Sequence, residues 1–160
     1  MAEATMRPVA NLPADVARKL VGVFTDIDDT ITTDGRLPAA AYGALERLHE
    51  AGAVAKVSSI HVNGWFGQYD KLSMTRVFVR DALGLDLEAA KEKFMFCGDS
   101  PNDEPMFRFF PYGCGVANVR DFASRMTALP ALVSEARGGE GFVEIANRIL
   151  SARAGNAGKG

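Results

Sequence analysis

The sequence predicts an α/β fold in which a mostly parallel sheet lies between two layers of helices. Short, continuous apolar runs recur along the chain, and segments with helical spacing of apolar residues separate them. Runs of this kind are typical of strands buried on both faces, and strands that alternate with helices form parallel sheets. The composition, 48% hydrophobic and 24% charged, is that of a globular protein. We therefore expect residues 1–160 to form a single Rossmann-like, three-layer core domain.

Five segments have the composition of buried strands, and a glycine, a proline or a polar residue ends most of them. The predicted strands are 21–25, 53–57, 94–97, 113–117 and 131–133. Ligands of parallel α/β sheets bind at the carboxyl ends of the strands. The residues that directly follow these runs are therefore the first candidates for a functional site.

Helices are predicted from the spacing of apolar residues and from capping residues. Asp70 is suited to begin a helix over 70–83, and Gly84 is suited to end it. The other predicted helices are 38–51, a short stretch from 86, 104–109, 120–127 and 142–150. Residues 58–69 lack helical spacing, which predicts an extended segment or a hairpin. The lead segment 1–15 and the tail 152–160 are expected to be loosely ordered.

Charge and composition argue against several classes of partner. The net charge is −2 and no basic run is present, so we expect no nucleic-acid partner. No apolar run approaches the roughly 20 residues that span a bilayer, and the first residues do not resemble a signal peptide. Cys97 and Cys114 lie in apolar runs, which predicts buried, reduced thiols. These features predict a cytoplasmic protein without a membrane partner.

Acidic residues follow two of the predicted strands. Asp26, Asp28 and Asp29 follow the first strand, and Asp99 and Asp103 follow the third. Carboxylates gathered at one edge of a sheet repel each other, so the arrangement destabilises the fold unless a cation lies among them. Mg²⁺ is a hard ion that prefers oxygen ligands. The pattern therefore predicts a magnesium site.

These residues also carry a resemblance to a known family. The sequence Val-Phe-Thr-Asp-Ile-Asp-Asp-Thr-Ile over 23–31 resembles the first motif of the haloacid dehalogenase (HAD) superfamily, DxDx[TV]. The sequence Gly-Asp-Ser-Pro-Asn-Asp over 98–103 resembles its fourth motif, GDxxND, and Lys71 matches its third. The matches occur in the family's order and span about half of the chain. The resemblance implies a phosphatase with an aspartate nucleophile.

By this resemblance, Asp26 attacks phosphorus and forms an aspartyl-phosphate, which splits hydrolysis into two displacements. Asp28, two residues further on, protonates the leaving oxygen and later deprotonates water. The Asp26 carboxylate, the Asp28 backbone carbonyl and Asp99 ligate magnesium, with Asp103 nearby and acting partly through water. Attack by a carboxylate on a phosphate dianion needs such positive charge.

The resemblance also implies roles for residues at or near the family's other motif positions. Lys71 would neutralise both the nucleophile and the transferring phosphoryl group, and Asn102 and Thr30 would help to bind or orient the substrate. The family's second motif is a Ser or Thr at the end of the second strand. Ser59 is preferred for this catalytic role, and Ser58 is the alternative as a phosphoryl-binding residue.

The interval between the second and third motifs departs from many relatives. Lys71 follows Ser59 by 12 positions, where many relatives insert a whole cap domain, so we expect no cap domain here. The glycine-rich sequence 137–142 resembles sugar-phosphate-directed members with a C2-type cap. A similar turn occurs in capless phosphatases that act on 3-deoxy-manno-octulosonate 8-phosphate. Both placements are open at this point.

The sequence as a whole favours a magnesium-dependent phosphomonoester hydrolase. Its partner would be a small phosphorylated metabolite, such as a sugar phosphate, and the aromatic residues of 60–69 leave a homo-oligomer open. Two alternatives are a capless binding or scaffold domain with little turnover, and a phosphotransferase in which another acceptor attacks the aspartyl-phosphate.

Overall fold

A single parallel sheet organises the chain. The computed structural model describes residues 5–57 and 70–155, without the side chains of 55–57. Within these ranges the sheet has six strands in the order β1-β6-β5-β4-β2-β3, and every pair is parallel. The strands are β1 Arg7–Pro8, β2 Gly22–Thr25, β3 Val54–Val57, β4 Phe94–Gly98, β5 Cys114–Gly115 and β6 Leu132–Val133. The predicted parallel sheet is confirmed, and each predicted strand overlaps an observed one.

Six α-helices connect the strands in the described residues. They are α1 Ala14–Lys19, α2 Ala39–Glu50, α3 Lys71–Leu83, α4 Leu87–Ala90, α5 Glu104–Phe109 and α6 Gly138–Ala154. Short 3-10 helices cover Val9–Asn11, Lys91–Lys93, Pro101–Asp103, Ala117–Asp121 and Ala123–Arg125. The predicted ends of α3 are confirmed. Asp70 accepts a hydrogen bond from the Ser73 backbone N–H, and Gly84 takes a left-handed conformation with φ 65°.

The helices form two layers, one on each face of the sheet. α1, α2 and α6 cover one face, and α3, α4 and α5 cover the other. Successive residues of a strand point to opposite faces. Val23 and Met95 therefore belong to the first core cluster, whereas Phe24 and Phe96 belong to the second. The three-layer prediction is confirmed.

The lead segment and the start of the tail differ from the expectation of loose order. Arg7–Pro8 pairs with β6, and Val9 and Leu12 are buried in the first core cluster. The side chain of Arg148 donates to the backbone carbonyl of Leu12, which ties the lead segment to α6. α6 itself continues to Ala154. Short elements such as these are stabilised by tertiary partners rather than by local periodicity, which explains why sequence patterns did not reveal them.

The helix predicted over 120–127 is replaced by two 3-10 helices, in which the N–H groups of Phe122, Arg125 and Met126 donate to carbonyls three residues earlier. The N–H groups of Thr127 and Ala128 donate to the Glu104 side chain. The extended segment or hairpin predicted over 58–69 lies outside the described residues.

We predict that the aromatic cluster beneath the sheet makes a large contribution to stability. Phe94 is fully buried and its ring stacks on that of Phe24 at a centroid distance of 5.3 Å. Phe94→Ala should lower the free energy of unfolding by about 3–5 kcal/mol, since it leaves a cavity in a packed core. Phe109→Ala, at a half-buried position, should lower the free energy of unfolding by a smaller amount. Equal urea midpoints for the two variants would contradict this assignment of the core.

Candidate active site

Three carboxylates meet at the carboxyl ends of the neighbouring strands β2 and β4. β2 pairs with β4 so that Thr25 lies opposite Cys97, and the Asp26 N–H continues the ladder by donating to the Cys97 carbonyl at 2.9 Å. This register places the loop after β2 beside the loop after β4. One oxygen of each of Asp26, Asp99 and Asp103 lies within 4.8 Å of the others. The predicted meeting of acidic residues at this edge is therefore found for these three.

Lys71 supplies positive charge to the cluster. It is the first residue of α3, and its Nζ lies 3.0 Å from Asp26 Oδ1 and 2.6 Å from Asp103 Oδ1. The Asp70 cap fixes where the helix begins, and so fixes the side chain that enters the site. Lys71 thus bridges Asp26, the candidate nucleophile, and Asp103, the last residue of the fourth motif.

Asp103 is held on both of its carboxylate oxygens. Oδ1 accepts from Lys71, and Oδ2 accepts from the backbone N–H groups of Asp99 and Ser100 at 3.0 and 3.4 Å. A side chain on Gly98 would place its Cβ 2.4 Å from Asp103 Oδ2, so the glycine is required for this approach. The contacts of Asp103 indicate that it positions Lys71 and the loop after β4.

The position of Thr30 corrects one prediction. We expected Thr30 to bind substrate, but the residue is fully buried and its hydroxyl donates to Asp99 Oδ1 at 3.2 Å. A residue without accessible surface has no face to offer a substrate. Thr30 instead orients the Asp99 carboxylate, and it does so from the loop that carries Asp26.

Burial and mutual repulsion make ionisation of this cluster costly. Burial, followed by the nearby charges of Asp103 and Asp26, raises the pKa of Asp99 to about 7. Burial also raises the pKa of Asp103, and the attraction of Lys71 offsets part of that rise. For Lys71, burial lowers the pKa, but the attraction of Asp103 and the hydrogen bonds to Asp103 and Asp26 outweigh burial and raise it overall.

The donor set fits a hard divalent cation. When ionised, three carboxylates and one ammonium leave the cluster negatively charged. The donors are all oxygen, which suits Mg²⁺ better than a metal that prefers nitrogen or sulfur. Asp26 and Asp99 are the carboxylates best placed to hold the ion, because both oxygens of Asp103 are already engaged.

The other predicted residues lie around this cluster or outside the described ranges. Asp28 is exposed on the loop after β2, two residues beyond Asp26, and Asn102 is exposed in the 3-10 helix before α5. Their roles in proton transfer and substrate orientation stay predictions. Ser58 and Ser59 lie outside the described residues.

A tight hairpin in the loop after β2 was not predicted. Thr33 and Arg36 exchange two backbone hydrogen bonds of 2.8 and 3.0 Å around Asp34 and Gly35, whose φ values are 51° and 73°. Positive φ at both central residues is the geometry that favours Asp-Gly in a two-residue hairpin. The Asp-Gly pair was the available signal, but the flanking residues do not alternate as strands do.

The fold is similar to that of solved structures of HAD superfamily and YrbI family enzymes. A putative HAD superfamily subfamily III A hydrolase from Legionella pneumophila superposes with a TM-score of 0.67 at 20% identity, over 88% of this chain and 87% of that one. A probable YrbI family phosphatase from Pseudomonas syringae gives 0.68 at 20% identity, over 90% and 94%. For the 3-deoxy-D-manno-octulosonate 8-phosphate phosphatase of Moraxella catarrhalis, in complex with magnesium, phosphate and the sugar, the values are 0.64, 19%, 87% and 90%.

Comparison by sequence adds no family. No family model matches the chain, and no curated protein matches it. Of the two subgroups that the sequence resembles, the structures above include the phosphatases of 3-deoxy-manno-octulosonate 8-phosphate. Within the described residues, no helix combines the length and the apolar character needed to cross a membrane.

We predict that Asp99 makes the stability of the magnesium-free protein depend on pH. Its pKa of about 7 exceeds the ordinary value of 3.8, so between these pH values the folded state binds more protons than the unfolded state. Stability should therefore fall as the pH rises from about 5 to about 8 in chelator, and Mg²⁺ should raise the melting temperature more at the higher pH.

Asp99→Asn is the matched variant for this test, because the amide oxygen still accepts from Thr30. Thermal melts of this variant should lose most of the pH dependence and most of the stabilisation by Mg²⁺. Unchanged pH and Mg²⁺ responses in Asp99→Asn would show that another group is responsible.

Proposed function

We propose that this protein is a magnesium-dependent phosphomonoester hydrolase that acts through an aspartyl-phosphate on a small organic phosphate, with sugar phosphates as the favoured class. The observation that carries the proposal is the contact of Lys71 with Asp26 and Asp103, beside Asp99, at the carboxyl edge of the sheet. This arrangement provides a nucleophile, a neutralising cation and an oxygen-donor metal site within one small volume.

The chain's own residues can account for both displacements. In the first, an Asp26 oxygen forms a bond to phosphorus, the ester P–O bond breaks, and Asp28 gives its proton to the leaving oxygen. In the second, water attacks the aspartyl-phosphate, Asp28 takes a proton from that water, and the bond from Asp26 to phosphorus breaks. Asp28 thus returns to its protonated form, so each turnover consumes water and releases inorganic phosphate.

Electrostatics decides whether a carboxylate can attack an anionic ester. Magnesium held by Asp26, Asp99 and the Asp28 carbonyl would offset the charge of the phosphoryl group. Lys71 contributes at the same place, because its ammonium already contacts Asp26. Asp103 keeps that ammonium aimed at the nucleophile. A domain that only bound a partner would have no need for this cluster, whose repulsion destabilises the fold.

The solved structures with this fold support the substrate class. The Moraxella catarrhalis phosphatase holds a sugar together with phosphate and magnesium. Only 12 positions separate Ser59 from Lys71, the interval in which many members of the family that the sequence resembles insert a cap domain. We accordingly propose a capless site for this chain, although the interval 58–69 lies outside the described residues. Ser59 or Ser58 as the phosphoryl-binding residue also stays a prediction.

We also propose a location and a mode of assembly for this protein. Cys97 and Cys114 are both buried, and burial raises the pKa of Cys97 to about 12, which keeps the thiol protonated and unreactive. Reduced, buried thiols support a cytoplasmic location. Leu37 and Tyr42, next to the loop after β2, are exposed large hydrophobic side chains that support contact with a substrate or with a second copy.

The proposal is tested by a phosphate-release screen over small phosphate esters, with Mg²⁺ and in chelator. We expect activity that requires Mg²⁺, and we expect Asp26→Asn to abolish it, because an amide is a poor nucleophile of the same shape. Asp15→Asn, an exposed site in α1, is the matched control and should keep wild-type turnover. Full activity in the folded Asp26→Asn variant would overturn the mechanism.

Asp28→Asn should affect esters according to their leaving groups. Alkyl phosphates need a proton on the departing oxygen, so their kcat/KM should fall by about 100-fold or more, while an activated aryl phosphate should lose less. Asp29→Asn is the control, since Asp29 is a neighbouring exposed residue whose φ of 58° suits asparagine. Equal losses on both classes of ester would exclude Asp28 as the general acid.

A further inference from the structure

The first N–H groups of the long helix α6 are capped by residues from distant loops. The side chain of Arg137 pairs with Asp121 and does not cap the helix. The Gly138 N–H instead donates to Asn118 Oδ1 at 2.9 Å, and the Gly139 N–H donates to Thr33 Oγ1 at 3.1 Å. Thr33 belongs to the loop after β2, so the start of α6 is fastened to the loop that carries the candidate catalytic residues.

The contact leaves no room for a side chain at either glycine. A Cβ on Gly138, whose φ is 53°, would lie 2.7 Å from Thr33 Oγ1 and 2.9 Å from the Thr32 carbonyl oxygen. A Cβ on Gly139 would lie 2.8 Å from both the Ile31 carbonyl oxygen and Pro38 Cγ. Contacts below 3.0 Å with backbone force one side to move. The helix backbone therefore packs directly on the backbone of residues 31–33.

Movement at residues 31–33 would be passed on to Asp28. The Ile27 carbonyl accepts from the N–H groups of Thr30, Ile31 and Thr32 at 3.2–3.3 Å, and also from the Thr32 hydroxyl at 3.1 Å. Thr32 Oγ1 in turn accepts from the Asp29 N–H at 2.9 Å. Asp28 lies between Ile27 and Asp29, which both make these hydrogen bonds, and its own side chain is exposed. The position of the Asp28 backbone therefore depends on the bonds of its two neighbours.

We propose that Thr33, Gly138 and Gly139 form a clasp that positions the loop after β2, and with it Asp28, for proton transfer. The inference rests on the proposed phosphatase function and adds three positioning residues to it. None of the three needs to touch the substrate. The glycine-rich sequence that begins α6 is thereby assigned a role in catalysis through the loop against which it packs.

Gly139→Ala tests the clasp, with Gly43→Ala as its matched control. Both glycines lie in helices, and alanine is the better helix former, so propensity alone would make both variants more stable. A Cβ at Gly43 meets nothing within 4 Å, whereas at Gly139 it must displace the loop or the helix. Gly43→Ala should therefore keep wild-type activity.

The readout is kcat/KM for an activated aryl phosphate and for glycerol 2-phosphate, because kcat/KM reports the steps up to the aspartyl-phosphate. Gly139→Ala should lose about tenfold to 100-fold more on the alkyl ester than on the aryl ester, since a displaced Asp28 protonates the leaving group poorly. A role in stability alone would leave the ratio of the two substrates at the wild-type value.

Thr33 provides a milder test should Gly139→Ala fail to fold. Thr33→Val removes the acceptor for the Gly139 N–H, and Thr33→Ser keeps it. Thr33→Val should shift the substrate ratio in the same direction by a smaller factor, and Thr33→Ser should restore the wild-type ratio. An unchanged ratio in folded Thr33→Val, with Gly139→Ala also unchanged or unfolded, would overturn the clasp.

A Mg²⁺ titration followed by thermal melting separates this inference from the proposed function. If wild type and Gly43→Ala release phosphate from none of the esters in the screen described above, the proposed function fails, and the clasp is then judged by metal affinity. Weaker Mg²⁺ binding by Gly139→Ala than by Gly43→Ala would support positioning of the loop. Equal Mg²⁺ affinity would overturn it.

Discussion

Repulsion among Asp26, Asp99 and Asp103 is the constraint around which the rest of this structure is arranged. One oxygen of each lies within 4.8 Å of the others in a largely buried place, where charges are poorly screened. The fold tolerates them because Lys71 bridges two of the three and because backbone N–H groups hold Asp103. Burial, followed by the charges of Asp103 and Asp26, still raises the pKa of Asp99, and the bound proton or a divalent cation would relieve this cost.

The sheet fixes the positions of the loops that carry these carboxylates. β2 and β4 are neighbours in the sheet, and their pairing continues into the Asp26 N–H, so the backbone of the candidate nucleophile is held by a hydrogen bond. Aromatic residues fill one face beneath these strands, with Phe24 stacked on Phe94 and Phe96 against Phe107. A packed core of this kind has little freedom to deform. The acidic loops therefore begin from rigid strand ends.

The loop after β2 is held from three directions. Thr30 reaches Asp99 on the neighbouring loop, Thr32 closes the loop on itself, and Thr33 caps α6. Three threonines in four positions thus perform three separate tasks. This arrangement couples α6 to the loop after β2, although Thr33 and Gly139 are 106 residues apart in sequence.

The sequence by itself determined the class of fold, the strand ends and the acidic residues that meet there. Apolar runs, the Asp70 cap and Gly84 are local features whose structural consequences follow from short-range physics, so they could be predicted. The motifs at 26–30 and 98–103 also predicted that Asp26, Asp99 and Asp103 would meet, because parallel strands bring their carboxyl ends to one edge. Asp28, which was predicted to join them, is not in the group that the structure shows.

Only the tertiary structure decided how those residues are paired and held. It assigned Thr30 to Asp99 rather than to a substrate, engaged both oxygens of Asp103, and brought Arg7–Pro8 into the sheet beside β6. It also placed Gly138 and Gly139 of α6 against the loop after β2. These outcomes depend on contacts between residues far apart in sequence, and a single chain's local pattern carries no information about which distant backbone will approach within 3 Å.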